Sequence, residues 1–525
     1  MKRTLILFSV GLALICYQTA KPSVPDHITL TWTGDAHTTQ TITWRTDVAE
    51  TNGEVQYTGV EDSANFAARA IDVKEDSSGK FKTGLDSWTL HFLTLKGLKP
   101  GKMYCYRVGY GNIWSGRSTF TTEGTETNSF RFLIFGDSQS GSEVDANYKV
   151  FEKTIHNAYK SNPDAKFFIN MGDLVEVGGD YRHWNNWFDA TRGVIDKITF
   201  MPVVGNHDTY NLLRGFGRPV NFIRQFKLPQ NAPDGFKGQT YSYDYGDVHF
   251  LVWDSQIHEE KPDKAMLNRE LDWMRKDLKN TDRKWKVLLF HRTPYYNKVS
   301  RSNDTIRDLL QPIIDSNHVD IVLNGHDHGI SWTYPIKNDE LKSKPSQGTV
   351  YYITGRSGNK SYDDLVPKVW DAGFYDPQDE PNYVVADVNA AQFKLIAYKQ
   401  DMTPIDTFVI DKVKDEIFPL RAPVKFKDTR LVIYGKAFAD TVKVIKNDNV
   451  WYIPAKAFVD YLNGKIDYKD NNMQIKIKKS SGEFAIKHFQ QSKNIDMISA
   501  EDIKSKLGFT YHFDEAMNML LFSKD

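Results

Sequence analysis

Phe167-Phe168-Ile169-Asn170-Met171-Gly172-Asp173 is an apolar, β-rich run that breaks at a Gly-Asp pair, and the same punctuation returns along the chain. Gly136-Asp137, Gly205-Asn206-His207-Asp208, Phe290-His291 and Gly325-His326-Asp327-His328 each follow a run of that kind. Oxygen and imidazole donors are therefore placed repeatedly on loops at the C-terminal ends of strands, where open α/β sheets build their sites. Arg131 to Phe135, Lys166 to Asn170, Met201 to Val204, Val248 to Trp253, Lys286 to Phe290 and Asp320 to Leu323 read as buried strands. Helical patterns lie between some of them, clearest from Ala265 to Leu278, where Leu267, Leu271, Met274 and Leu278 share one face. Alternating strands and helices predict a layered α/β core.

These donors suit a pair of cations. Two metals held about 3.5–4 Å apart need a shared carboxylate, with imidazole, amide and carboxylate donors completing each shell. Asp173 is the natural bridge. One metal is then expected on Asp137, Asp173 and His328, and the other on Asp173, Asn206, His291 and His326. Asn206 does not titrate, so it supplies a neutral oxygen where a further carboxylate would over-neutralise the cations. His207 is left free for chemistry.

The ordered set resembles the calcineurin-like metallophosphoesterases and, within them, the purple acid phosphatases, whose pattern runs GD, GDxxY, GNH(D/E), VxxH and GHxH. The likeness extends over residues 129–412. It implies two sheets covered by helices, with Val384 to Asp387 and Phe393 to Tyr398 closing the second sheet. It also implies a metal-dependent phosphoester hydrolase of the acid phosphatase kind, with a dinuclear metal centre and a metal-activated hydroxide. His207 is the residue expected to serve the leaving group, and Asp208 the one expected to hold its tautomer by accepting a hydrogen bond.

The departures from the pattern bear on the metals. Purple members carry a metal-binding Tyr three residues after the second Asp, and Glu176 stands in that slot here, so no tyrosinate colour is expected. Many other members read Asp-x-His at the first motif, whereas this chain reads Asp137-Ser138-Gln139. The Gln139 amide oxygen, the Glu176 carboxylate or water must replace the missing ligand. Fe, Zn and Mn all suit imidazole and carboxylate ligands, so the donor types leave metal identity open. Arg292 can be read as a phosphate contact or a surface ion-pair partner, and Arg356 as a substrate contact or part of a turn. His249 lies in the hairpin Tyr241 to Phe250 and reads as a packed core or inter-strand histidine.

The 525 residues exceed one core and suggest a multidomain protein. The N-terminus runs from Met1-Lys2-Arg3 through the apolar Leu5 to Cys16 to Ala20, a signal-peptide pattern over residues 1–20. The apolar run is shorter than the roughly 20 residues that cross a bilayer, so cleavage rather than a transmembrane anchor is expected. The mature chain would keep only Cys105 and hold no intramolecular disulfide. Residues 24–123 show short alternating strands punctuated by turns, the pattern of a β-sandwich. They resemble a fibronectin type III module, with Tyr104 as a candidate tyrosine corner, and also the domain that precedes the catalytic domain in purple acid phosphatases.

Over 424–525 a unit of helix, Gly stop and strand hairpin occurs at Ile453 to Gly464 and again at Ile498 to Gly508. It looks like the copper amine oxidase N-terminal-like domain, with no copper-binding His/Cys cluster, and reads as a small α+β accessory module for the cell envelope. Net charge is zero, so no basic footprint for nucleic acid is evident. The chain is read as a secreted or extracellular phosphoester hydrolase, with association to the cell wall through its C-terminal domain. The alternatives are a phosphodiesterase or nucleotidase of the same superfamily and a non-catalytic envelope-binding protein.

Overall fold

The computed structural model describes residues 24–419 apart from 48, 49, 51, 84, 85, 214 and 300. It also describes 429–523 apart from 434–435, 438–441, 463, 470–471, 478–482, 487–489, 493–494 and 515–517. The leader pattern of residues 1–20 lies outside the described residues.

The central part is a sandwich of two seven-stranded sheets. β1 (Ser129–Phe135), β2 (Phe167–Asn170) and β3 (Thr199–Pro202) pair in parallel. The other sheet takes β4 (Tyr241–Tyr245), β5 (Val248–Val252), β6 (Trp285–Leu289), β7 (Ile321–Asn324), β8 (Ile330–Thr333), β9 (Val350–Thr354) and β10 (Asp371–Tyr375), in the order β4-β5-β6-β7-β9-β8-β10. The chain then returns with β11 (Asn382–Asn389), β12 (Gln392–Lys399), β13 (Pro404–Asp411) and β14 (Glu416–Pro419). These four extend the sheet of β1, in the order β3-β2-β1-β11-β12-β13-β14, so the two strands expected to close the second sheet, β11 and β12, are interior strands of the sheet of β1. The physical reason is that β11 pairs antiparallel along β1, the free edge of the parallel trio.

Aromatic rings fill the space between the sheets: Phe132 stacks on Phe167 at 4.8 Å and meets Phe250 edge-on at 5.6 Å. Strands buried on both faces read as continuous apolar runs, which is why these were legible. Helices α1 (Lys149–Ser161) and α2 (Tyr181–Thr191) cover one outer face with Phe151, Ile155, Trp184 and Trp187. Helices α3 (Lys264–Asn280) and α4 (Asp304–Asn317) cover the other with Leu271, Met274, Leu278, Leu310 and Ile313. The Asp263 carboxylate caps α3 by accepting from the Met266 N–H at 2.8 Å.

Before this sandwich stands a β-sandwich whose sheets pack Trp44, Val55, Leu93, Tyr106 and Val108 between them. The Tyr104 hydroxyl accepts from the Lys99 N–H at 2.8 Å, the bond of a tyrosine corner. Cys105 is buried on the same strand. The domain is fused to its neighbour, because Trp32, Phe81 and Leu90 belong to the main core. Across the junction the Tyr106 hydroxyl donates to Asp196 O at 2.8 Å, and Arg45 Nη1 to Asn185 Oδ1 at 2.6 Å.

The C-terminal residues enclose a separate core of Leu431, Ile453, Phe458, Ile498, Ile503 and Phe522, among others. The sequence repeat is also a structural one. Strand Val450–Pro454 leads into helix Ala455–Tyr461, strand Ile495–Ser499 leads into helix Ala500–Leu507, and the two strands pair antiparallel. Ser499 caps the second helix by accepting from the Asp502 N–H at 3.0 Å, and Gly508 ends it at φ +68°. The first helix starts after Pro454 with no side-chain cap, so the two copies differ there. No helix among the described residues is long and apolar enough to cross a membrane.

Candidate metal centre

The loops after β1, β2, β3, β6 and β7 meet at the C-terminal edges of both sheets' parallel strands. They carry Asp137, Asp173, Asn206, His291, His326 and His328, all buried. Ligand atoms of Asp173, His291 and His326 lie within 4.8 Å of one another. Asn206 Oδ1 is 3.2 Å from His291 Nε2, and His326 Nδ1 is 3.1 Å from the same nitrogen. On the other flank, His328 Nε2 is 3.1 Å from Asp137 Oδ1. The structure thus brings all six expected ligand residues together.

Backbone carbonyls decide which imidazole nitrogens face inward. A carbonyl only accepts, so His291 Nδ1 donates to Met171 O at 2.8 Å and His328 Nδ1 donates to Lys360 O at 2.9 Å. In the neutral imidazole each Nε2 is then left with its lone pair toward the cluster, the arrangement by which outer partners set metal-ligand tautomers. Burial alone would lower the His291 pKa, but the Asp173 carboxylate outweighs it and raises the pKa to about 9. Asp173 is itself held well below the usual carboxylate range: burial opposes this, and His291 and His207 overcome it. A concentrated negative field with lone pairs converging on it is what a divalent cation neutralises.

The glycines of the motifs make this convergence possible. A Cβ on Gly172, whose φ is +99°, would lie 2.6 Å from His291 Nδ1, and one on Gly205 would collide with the Asp173 backbone nitrogen.

Gln139 and Glu176 separate cleanly. Gln139 is fully buried, its Nε2 donates to Asp173 Oδ2 at 3.2 Å, and its Oε1 has no hydrogen-bond partner. That orphaned oxygen beside Asp173 fits a further metal ligand. Glu176 is also buried, but its carboxylate accepts from the Gly141 N–H at 2.9 Å and from Lys360 Nζ at 3.1 Å.

His207 sits beside the cluster, its Nε2 4.0 Å from Asp173 Oδ2. Its Nδ1 donates to the Glu176 carbonyl at 2.8 Å, and the Tyr210 ring packs on it at 4.4 Å. Asp208 corrects the expectation made for it, since its tautomer-setting role is taken by that carbonyl. The Asp208 carboxylate instead accepts from the backbone N–H groups of Gly205 at 2.8 Å, Leu174 at 3.1 Å and Val175 at 3.3 Å. It ties the Asp173 loop to the Asn206 loop. Burial and the Asp173 charge push its pKa up to about 8.

Arg292 is no free surface residue: Nη1 is 3.1 Å from His326 Nε2, Nε donates to Gln256 Oε1 at 3.2 Å, and Nη2 pairs with Glu259. Arg356 is turned away, donating to the carbonyls of Pro377 and Gly358 to clamp the loop after β9. The residue that motif reading missed is Lys360, whose Nζ lies 2.8 Å from His207 Nε2. Only the reading of Arg356 pointed toward that loop, and no motif marks the lysine.

Comparison with known proteins agrees with this geometry. Residues 25–122 match the family described as Purple acid Phosphatase, N-terminal domain, and residues 130–329 match Calcineurin-like phosphoesterase. The chain is 25% identical over 390 residues to Acid phosphatase type 7 of Homo sapiens, covering 67% of this chain and 82% of that protein. It is 23% identical over 385 residues to Purple acid phosphatase 15 of Arabidopsis thaliana, covering 64% and 68%. The solved structure of a purple acid phosphatase from yellow lupin (Lupinus luteus) seeds shares the fold, with a TM-score of 0.62, 20% identity and 74% coverage of each chain. With this architecture, the chain carries a purple acid phosphatase N-terminal domain followed by a calcineurin-like phosphoesterase domain and is a metal-dependent phosphoester hydrolase.

Proposed function

We propose that this chain is a secreted phosphatase that hydrolyses phosphoesters at a dinuclear metal centre bridged by Asp173. Asp137, Gln139, Asp173 and His328 would hold one metal, and Asp173, Asn206, His291 and His326 the other. The metals, when bound, supply the Lewis acidity that generates a nucleophile from water and neutralises charge on the phosphoryl group. His207 acts on the leaving group: with Nδ1 donating to the Glu176 carbonyl, its protonated form presents an Nε2–H to the departing oxygen. Asp208 acts indirectly, keeping the Asp173 and Asn206 loops in place. The observation that carries this reading is the convergence of Asp173, His291 and His326 within 4.8 Å, beside a close Asp137–His328 pair, with the Nε2 atoms of His291 and His328 turned inward by carbonyls. Supporting secretion is the leader-like pattern of residues 1–20. The C-terminal unit is proposed as an accessory module for envelope association.

The test is metal analysis of the purified protein beside hydrolysis of a chromogenic phosphomonoester and its diester, before and after chelation. About two equivalents of metal with chelator-sensitive turnover are expected for a bridged pair. His207→Ala should lose most turnover while keeping both metals. One equivalent or less after reconstitution with Fe, Zn or Mn, or full activity in His207→Ala, would refute the corresponding part.

A further inference from the structure

Lys360 occupies a place that the metal-centre reading leaves unexplained. Its ammonium lies 2.8 Å from His207 Nε2 and 3.1 Å from Glu176 Oε1. Lysine carries three donors and no acceptor, so these two partners leave a third N–H to point elsewhere. The side chain is 23% exposed, so part of it is open to solvent or substrate.

The lysine is held rigidly. Its own carbonyl accepts from His328 Nδ1 at 2.9 Å, so its backbone is attached to a candidate metal ligand. The residues before it lie on the first motif's loop: the Gly358 N–H donates to Asp137 O at 3.0 Å and the Asn359 N–H to Gln139 O at 3.2 Å. A residue so mounted cannot drift away from the metal centre without disturbing Asp137 and His328.

Charge gives the arrangement its purpose. Glu176 stands where purple members have a tyrosine, and an uncompensated carboxylate beside His207 would repel a phosphate entering the site. Lys360 cancels that charge, and the Glu176 carboxylate in turn holds the ammonium against the imidazole edge that faces the leaving group. A phosphoryl oxygen arriving at the His207 edge therefore meets the remaining ammonium N–H at the same point.

We propose that Lys360, positioned by Glu176, is a substrate-phosphate-binding residue that favours phosphomonoester dianions over diester monoanions. The proposal rests on the phosphoesterase reading above, because it uses the same site. A dianion has one more charge to place against the ammonium than a diester does, and the terminal oxygens of a monoester can reach His207 and Lys360 together.

The experiment titrates inorganic orthophosphate calorimetrically into the metal-loaded, full-length wild-type protein, Lys360→Met and Lys360→Arg. Metal content is measured on the same samples, and KM is measured for a phosphomonoester and its diester counterpart. Lys360→Met should weaken orthophosphate binding by about 10- to 100-fold, the range of a hydrogen bond to a charged group. Metal content should be unchanged, and the monoester KM should rise by a larger factor than the diester KM. Lys360→Arg keeps the charge and should retain most of the orthophosphate affinity.

Unchanged orthophosphate affinity in Lys360→Met overturns the proposal, as does a loss accompanied by loss of metal or one equal for Met and Arg. Equal KM changes for the two esters overturn the dianion preference. Orthophosphate binding is read without turnover, so a protein that binds it through Lys360 but hydrolyses neither ester refutes the phosphoesterase reading and supports the lysine's role. A wild-type protein that binds no orthophosphate refutes both.

Discussion

Asp137, Asp173, His326 and His328 have φ values of +47°, +51°, +74° and +59°, a region that residues with a Cβ avoid. Each such residue costs about 1–3 kcal/mol and persists only where its surroundings over-determine it. Here the surroundings include the backbone bonds of Asp208 and the carbonyl anchors of the histidines. Asp208→Ala would orphan the N–H groups of Gly205, Leu174 and Val175, and a buried unsatisfied donor costs about 1–3 kcal/mol. We expect Asp208→Ala to lose at least about 3 kcal/mol of stability in chelator, read by denaturant unfolding, with Asp208→Asn intermediate because its amide oxygen still accepts. A loss below about 1 kcal/mol, within the range of ordinary surface changes, would show that the loops are held by other means. The motif spelling made these residues legible as ligands, but the spelling contains no sign of the unusual backbone. Asp208's partners were likewise illegible, because a carboxylate next to a histidine in sequence can face the opposite way in space.

At the scale of elements, the hairpin of β4 and β5 carries a charge device of its own. His249 lies between Asp244, 2.7 Å from its Nδ1, and Asp277 of α3, 2.8 Å from its Nε2. Burial alone would lower its pKa, but the two carboxylates outweigh that and raise it to about 9. The folded state thus holds the proton more tightly than an unfolded histidine, whose pKa is about 6.5. Its contribution is complete below about pH 6.5 and is lost as pH rises through about 9. Discounted for the part-exposed Asp244, the contribution is about 2 kcal/mol. His249→Gln should be destabilised most near pH 6 and converge on the wild type by about pH 10, compared by denaturant unfolding at each pH. A difference that does not change with pH would remove the ion pairs from the account. The sequence placed His249 between strands, since the alternation around Gly246-Asp247 marks a hairpin; the second carboxylate comes from a helix 28 residues away and could not be read.

At the scale of the molecule, the flanking domains are attached in different ways. Trp32, Phe81 and Leu90 of the N-terminal sandwich belong to the main core, whereas the C-terminal unit meets the rest through a small cluster of Val369 and Met519 with Tyr334, Trp370 and Leu521. Fully burying one large apolar side chain contributes about 1.5–3 kcal/mol, so removing residues 24–123 should leave the catalytic part unfolded or aggregated. A chain ending at 419 should remain folded and keep its turnover, as measured by size-exclusion chromatography and kcat on a phosphomonoester. Loss of turnover in that truncation would mean that the C-terminal unit takes part in the site. The sequence by itself determined the order of strands and helices and the identity of the donor residues, because apolar periodicity and motif spacing are local properties of the chain. Only the tertiary structure decided that β11 to β14 return to the sheet of β1, that a carbonyl rather than Asp208 orients His207, and that Lys360 stands beside it. Those outcomes depend on which loops meet at the sheet edges, and that is settled by packing between residues far apart in the chain.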